Sequence, residues 1–148
     1  TYTGYSALCM AEGLQNDGVL CTIDINKELA PFAQKYFNKS SYKNLIKMMV
    51  GNALEIIPKL NFNWDLVFID ADKENYSNYF DIVIEKVNKG GMIIADNVLW
   101  SGKVIKPTSK NDIETDSLKI FNEKVHSDSR VSNVLMPVRD GMMIMIKK

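Results

Sequence analysis

The chain has 148 residues, 46% of them hydrophobic, and carries 18 basic and 18 acidic side chains for a formal charge of zero. That length and apolar share suit one domain with a core of its own, and the balanced charge argues against strong electrostatic attraction to nucleic acid or an anionic membrane. No apolar run approaches the roughly 20 residues that a membrane span needs, so no membrane partner is expected.

Thr1-Tyr2-Thr3-Gly4-Tyr5-Ser6 reads as the middle of a strand-to-helix turn, and no Met starts the chain. The expectation is a fragment whose first strand lies upstream. Ser6 to Leu14 is rich in helix formers and stops near Gly13. Val19 to Ile23 reads as a strand ending at Asp24. Lys27 to Phe37 places Leu29, Phe32, Ala33, Tyr36 and Phe37 at helical spacing, with Pro31 in the first turn, where proline is tolerated. Ile46 to Val50 is another strand. Ala53 to Leu60 is a helix that Pro58 should shorten or distort.

Leu66 to Ile69 is a short, continuous apolar run bounded by acids, the pattern of a fully buried parallel strand. Just beyond it stand Asp70, Asp72 and Lys73. Asn75 to Val87 is helix-spaced, and Lys89-Gly90-Gly91 reads as a turn. Met92 to Ala95 is a strand leading into Asp96 and Asn97. The loop from Asn97 to about Ile113 is long enough to suggest a function. Thr115 to Val125 reads as a helix, Val131 to Met136 as a strand, and Gly141 to Ile146 as a last strand. Pro137 to Asp140 joins these two, so a closing hairpin and one antiparallel strand are expected. The alternation before it argues for an α/β protein with a mostly parallel, doubly wound sheet.

In such sheets ligands bind beyond the carboxyl ends of the strands. Asp24 ends a strand 20 residues after Gly4, a spacing at which an acid often accepts hydrogen bonds from ribose hydroxyls. It could equally cap the following helix. Asp70, Asp96 and Asn97 offer hard oxygen donors that suit Mg²⁺, Ca²⁺ or Mn²⁺ better than zinc, although taken singly each also fits a cap or a turn. Lys73 is either a solvated lysine or a base with its proton affinity lowered by a nearby cation and partial desolvation. Trp100 is either a wall for an aromatic substrate or an anchor for its loop. His126, the one histidine, reads as a surface residue. Met142, Met143 and Met145 read as core or subunit contact. Cys9 and Cys21 look like small buried hydrophobes rather than a metal pair or a disulfide framework, which makes a reducing cytoplasm the expected compartment.

Six segments carry a family likeness. They are Thr3-Gly4-Tyr5-Ser6, Asp24-Ile25-Asn26, Phe68 through Tyr76 (Phe-Ile-Asp-Ala-Asp-Lys-Glu-Asn-Tyr), Gly90-Gly91, Asp96 through Gly102 (Asp-Asn-Val-Leu-Trp-Ser-Gly), and Asp140-Gly141. Over its whole length the chain resembles the cation-dependent O-methyltransferases of the caffeoyl-CoA and catechol type. The third and fifth segments together are the specific ones.

The resemblance implies a Rossmann-like class I methyltransferase fold that binds S-adenosylmethionine. Carried over by position, Thr1, Tyr2, Thr3, Tyr5 and Ser6 would border the cofactor, Asp24 would hold its ribose, and the Ala53 backbone would meet its adenine. Asp70 and Asp72 would lie against the cofactor too. Asp70, Asp96 and Asn97 would bind a divalent cation, Mg²⁺ first among the candidates. Lys73 would be the base, and Asp72, Lys73 and Trp100 would face the substrate.

The family also has a Glu-Ile-Gly segment just before the position of Thr1, whose strand lies in the middle of the sheet. Helices before that segment help to cover substrate and build a dimer. The implied reaction is methylation of a catechol-like hydroxyl on a small phenolic substrate by a homodimer. Two other readings stay open: methylation of a hydroxylated tRNA base, which would make nucleic acid the partner, and a non-catalytic nucleotide-binding domain.

Overall fold

Hydrophobic runs that end at acids become parallel strands in both halves of the chain. The computed structural model describes residues 1–148, and its backbone contacts cluster into two units, Thr1–Lys59 and Leu60–Lys148.

In the first unit, β1 (Leu20–Asp24) runs parallel to β2 (Ile46–Val50), with Asp24 opposite Val50. Helix α1 (Tyr5–Glu12) and helix α2 (Ala30–Lys39) pack Ala7, Ala11, Ala33 and Phe37 around Ile46. The small residues matter, because two alanines on α1 let it approach closely. Helix α3 (Ala53–Ile56) is a single turn capped by the Asn52 side chain, which accepts from the Leu54 N–H. It passes into a 3-10 turn at Ile57–Lys59. Pro58 sits there, and its missing N–H keeps the α-helix from continuing.

The second unit holds a four-stranded sheet in the order β3-β4-β6-β5, formed by β3 (Trp64–Ile69), β4 (Val87–Asp96), β5 (Val131–Met136) and β6 (Met142–Lys147). β3 and β4 are parallel, whereas β6 is antiparallel to both β4 and β5. β5 therefore runs with β3 and β4, and β6 is the one reversed strand. Helix α4 (Tyr76–Ile84) and helix α5 (Ile113–Ser127) cover the sheet. Tyr76, Phe80, Ile84, Leu118, Phe121, Val125, Ile93 and Met145 are fully buried there. Phe121 meets two of the three α4 rings edge-on, at 5.4 Å from Tyr76 and 6.5 Å from Phe80. Burial of one such ring is worth about 1.5–3 kcal/mol.

Five sequence expectations change. β3 is not buried throughout: Leu66 is 50% exposed. Lys89-Gly90-Gly91 is not a turn between elements but an irregularity inside β4. Trp64 pairs with Val87 and Leu66 with Met92, so the extra β4 residues are accommodated by a bulge. Gly90 takes φ +80°, and a side chain on Gly91 would run into Asn88 and Val87. α2 begins at Ala30, not Lys27, and Phe32 and Tyr36 lie outward, stacked on each other at 5.0 Å. α5 begins at Ile113 because Asp112 caps it, accepting from the Thr115 N–H. Cys9 is exposed rather than buried, and both cysteines are free. Met143 and Met145 do fill the core, and His126 is exposed.

Candidate active site

In the first unit, the turn before α1 depends on Gly4, which adopts φ +88° against the Phe37 ring; an added Cβ would fall 2.7 Å from that ring. The Gly4 N–H bonds to the Thr1 carbonyl at 2.9 Å, closing the turn. Thr1 reaches Thr22 hydroxyl to hydroxyl at 2.6 Å. Tyr2, Tyr5 and Ser6 are exposed, and Thr3 is half-buried. Asp24, at the tip of β1, accepts from the Tyr2 N–H at 2.6 Å and from the Asn26 N–H at 2.8 Å. Burial opposes its charge, and the two amide N–H bonds favour it. Asp24 does not cap α2, whose N-cap Leu29 receives no side-chain bond. Ala53 opens α3, where a helix leaves its first N–H groups without intrahelical partners.

In the second unit, the β3–β4 register pairs Ile69 with Ala95, so Asp70 and Asp96 come directly after paired residues at one end of the sheet. Lys73 lies in a 3-10 turn (Lys73–Asn75) and is only 7% exposed. All three of its ammonium protons have acceptors: Asp70 Oδ1 at 3.2 Å, the Ala71 carbonyl at 3.1 Å and the Tyr76 hydroxyl at 2.7 Å. The Tyr76 hydroxyl in turn donates to the Asp96 carbonyl at 3.0 Å. A continuous chain of bonds thus runs from Asp70 through Lys73 and Tyr76 to Asp96. Burial, then the charges of Asp70, Asp96 and Asp72, push the Tyr76 phenol far above its usual value, so it stays protonated as the donor. The Lys73 ammonium also lies over the rings of Tyr76 (4.7 Å) and Trp100 (5.7 Å).

Asp72 is tied inward. Its carboxylate accepts from Tyr79 at 2.5 Å and from the Asn75 side chain. Burial opposes the charge here too, but those two bonds and Lys73 hold the carboxyl below the ordinary range. Burial and the bond to Asp72 raise the Tyr79 phenol.

Asp96 Oδ1 accepts from the Asn97 N–H at 2.7 Å. Asn97 is left-handed at φ +61°, followed by Trp100 at +46° and Ser101 at +54°. Such positive angles in residues with side chains cluster at functional sites. The hairpin between β5 and β6 holds this loop: Leu99 N–H bonds to the Asp140 carbonyl at 2.9 Å, and the Ser101 N–H to the Asp140 side chain. The Asn122 amide adds a bond to the Val98 carbonyl. The indole N–H of Trp100 is buried without a partner.

The structure therefore brings Asp70, Lys73 and Asp96 into one bonded group, with Trp100 against Lys73 and Asn97 adjoining Asp96. It gives contacts at the site to two residues, Tyr76 and Asp140, that the sequence shows only within segments of family likeness, with no role of their own. In sequence, Tyr76 shows as an apolar position of its helix and as the last residue of the Phe68–Tyr76 segment; its spacing of three from Lys73 on a helical turn is the signal for their contact.

The donor chemistry fits a divalent cation. Asp70 is half exposed and has one ion-pair partner, Asp96 uses one oxygen, and the Asn97 side chain makes no hydrogen bond within the chain. No group of three His, Cys, Asp or Glu side chains is placed to hold a metal ion, so a cation here would have two carboxylates and one amide from the chain. Hard cations accept such sets, with water or substrate oxygens completing the shell.

A family model described as O-methyltransferase matches residues 1–148. The chain is 30% identical over 165 residues to "Probable caffeoyl-CoA O-methyltransferase 3" of Dictyostelium discoideum, covering 99% of this chain and 66% of that protein. It is 34% identical over 152 residues to caffeoyl-CoA O-methyltransferase 1 of Zea mays, covering 95% of this chain and 59% of that protein. It therefore spans less than two thirds of the length of these relatives. Among solved structures, the O-methyltransferase TomG of Streptomyces achromogenes, involved in tomaymycin synthesis and crystallised with S-adenosylmethionine, superposes with a TM-score of 0.93 at 27% identity, covering 100% of this chain and 70% of that one. The α/β fold with one reversed strand near its end is that of these class I methyltransferases. The chain belongs to the O-methyltransferase family.

Proposed function

We propose that the intact protein transfers a methyl group from S-adenosylmethionine to a hydroxyl of a catechol-like aromatic, with residues 1–148 as its methyltransferase domain and a divalent cation as helper. The observation that carries this reading is the bonded group at the ends of β3 and β4, where the Asp70 carboxylate is linked through Lys73 and Tyr76 to the main-chain carbonyl of Asp96. The relatives named above are caffeoyl-CoA O-methyltransferases by name, and TomG was crystallised with the methyl donor.

Asp70, Asp96 and Asn97 would hold the cation, Mg²⁺ or else Mn²⁺ or Ca²⁺. When bound, it would acidify a coordinated hydroxyl and offset the charge of the phenolate. Lys73 would take the hydroxyl proton only as a neutral amine, after giving up one of the three protons that its contacts here account for. Its contacts to Asp70, Ala71 and Tyr76 fix where the nitrogen sits, which is what a general base needs most. Asp24 would accept hydrogen bonds from the ribose of the methyl donor, while Ala53 and the Thr1–Ser6 turn, with Thr1, Tyr2, Thr3, Tyr5 and Ser6, would flank the rest of it. Asp72 would border donor and substrate, and the Trp100 ring would form a wall against the aromatic acceptor. The donor supplies a positively charged, readily transferred methyl, so an anion meets a cation and few further groups are required.

The same reading makes the intact protein a cytoplasmic homodimer. No helix here is long and apolar enough to cross a membrane. Chelation should abolish methylation of a catechol by the intact protein, and added Mg²⁺ should restore it. Turnover that survives chelation unchanged would refute the cation's role. Calorimetry with S-adenosylmethionine separately tests donor binding.

A further inference from the structure

A cleft of about 570 Å³ opens beside Asp96 and Asn97, within the range of small-molecule sites. Its remaining wall comes from the loop at Ser101 and from the hairpin between β5 and β6, with Val138, Arg139, Asp140 and Met142. Arg139 is the one basic residue in that lining. None of the six ion pairs of the chain includes it. Asp140, its neighbour, is already engaged by the Ser101 N–H, and Asp96 accepts from Asn97. Arg139 is also left-handed, at φ +51°. That conformation is disfavoured for a residue with a side chain, and it is held by the turn, in which Gly141 N–H bonds to the Val138 carbonyl at 3.0 Å. The Arg139 side chain is exposed, lines the cleft and has no acid partner, which leaves its guanidinium available to an anion.

We propose that Arg139 selects methyl acceptors that carry a carboxylate, so that the substrate is a catechol acid rather than a neutral catechol. This rests on the catechol reading above. The acceptor's hydroxyls would face Asp96 and Asn97, with the rest of the molecule reaching along the cleft towards Arg139. Its carboxylate would meet the guanidinium, whose planar fork matches a carboxylate in a way a lysine does only as a point charge.

The test is a comparison of kcat/KM in the intact protein, with Mg²⁺ and S-adenosylmethionine, for 3,4-dihydroxybenzoate, 3,4-dihydroxyphenylacetate and the neutral 4-methylcatechol. At least one acid should be preferred over the neutral compound by about tenfold or more, the scale of a hydrogen-bonded charge pair. Arg139→Met should erase most of that preference, and Arg139→Lys should keep part of it. Because the readout is a ratio within each variant, general loss of folded protein cancels. A preference that persists in Arg139→Met, or wild type without any preference, overturns the role of Arg139 and leaves the catechol reading standing. Methylation of none of the three compounds by wild type overturns the catechol reading and the selection by Arg139 with it.

Discussion

Asp24 and Asp70 both close a hydrophobic strand, yet their carboxylates sit in different company. Asp24 is held by main-chain N–H groups, from Tyr2 and Asn26. Asp70 has a side-chain partner, Lys73, and is half open to solvent. A carboxylate fixed by backbone donors is an oriented acceptor, suited to a neutral hydroxyl. A carboxylate beside an ammonium, with lone pairs still open to solvent, is suited to cations and protons. On the proposed reading, one sequence pattern would serve binding at one strand tip and chemistry at another, and the residues just past each acid make the difference: Ile25-Asn26 turns the backbone onto Asp24, whereas Ala71-Asp72-Lys73 returns a side chain to Asp70.

Four perturbations bear on that division. Lys73→Ala should reduce turnover by roughly 10²–10⁴-fold, the usual scale of general acid–base catalysis, while leaving affinity for S-adenosylmethionine nearly unchanged; steady-state kinetics with calorimetry separate the two. Asp24→Asn should do the reverse, weakening donor affinity by about 10- to 100-fold, the value of hydrogen bonds to a charged acceptor, with near-normal turnover at saturation. If both variants lost turnover and affinity alike, the division between the two strand tips would fail.

Tyr76→Phe should cost about 1 kcal/mol or more of stability, since it strips Lys73 of one acceptor and the Asp96 carbonyl of its donor; denaturant unfolding measures it. The smallest effect concerns Asp72. Its folded-state value is depressed, so its contribution to stability is present above the ordinary aspartate value and is lost as pH falls through the depressed one. Carboxyl NMR should show Asp72 titrating below the exposed aspartates, and Tyr79→Phe should move it back up.

Strand tips and their acids are legible in the sequence because apolar runs of four to six residues stop abruptly at charged ones. Ile46–Val50 and Val131–Met136 are readable to the residue. The exposure of Leu66 is not, because periodicity reports the character of a strand but not how much of it is covered. The bulge at Gly90 and Gly91 looks like a turn because glycine marks both. In the site, Asp70 and Asp96 are legible as residues, and their link is not. The link depends on the Tyr76 hydroxyl, and a tyrosine on the apolar face of a helix carries no mark of where its oxygen ends. The grip of Asp140 on Ser101 spans 39 positions, and no local pattern announces a contact at that separation.

Gly141 bears on more than its own hairpin. It takes φ +81°, and a methyl group placed on it would lie 2.5 Å from Leu99. Leu99 stands between Asn97 and Trp100, so one missing carbon atom on the closing hairpin lets that loop lie down in its seat. On the proposed reading of Trp100 as a wall for the acceptor, the seat of that wall is cut by a residue with no side chain at all, and a larger residue there should displace the loop that carries it.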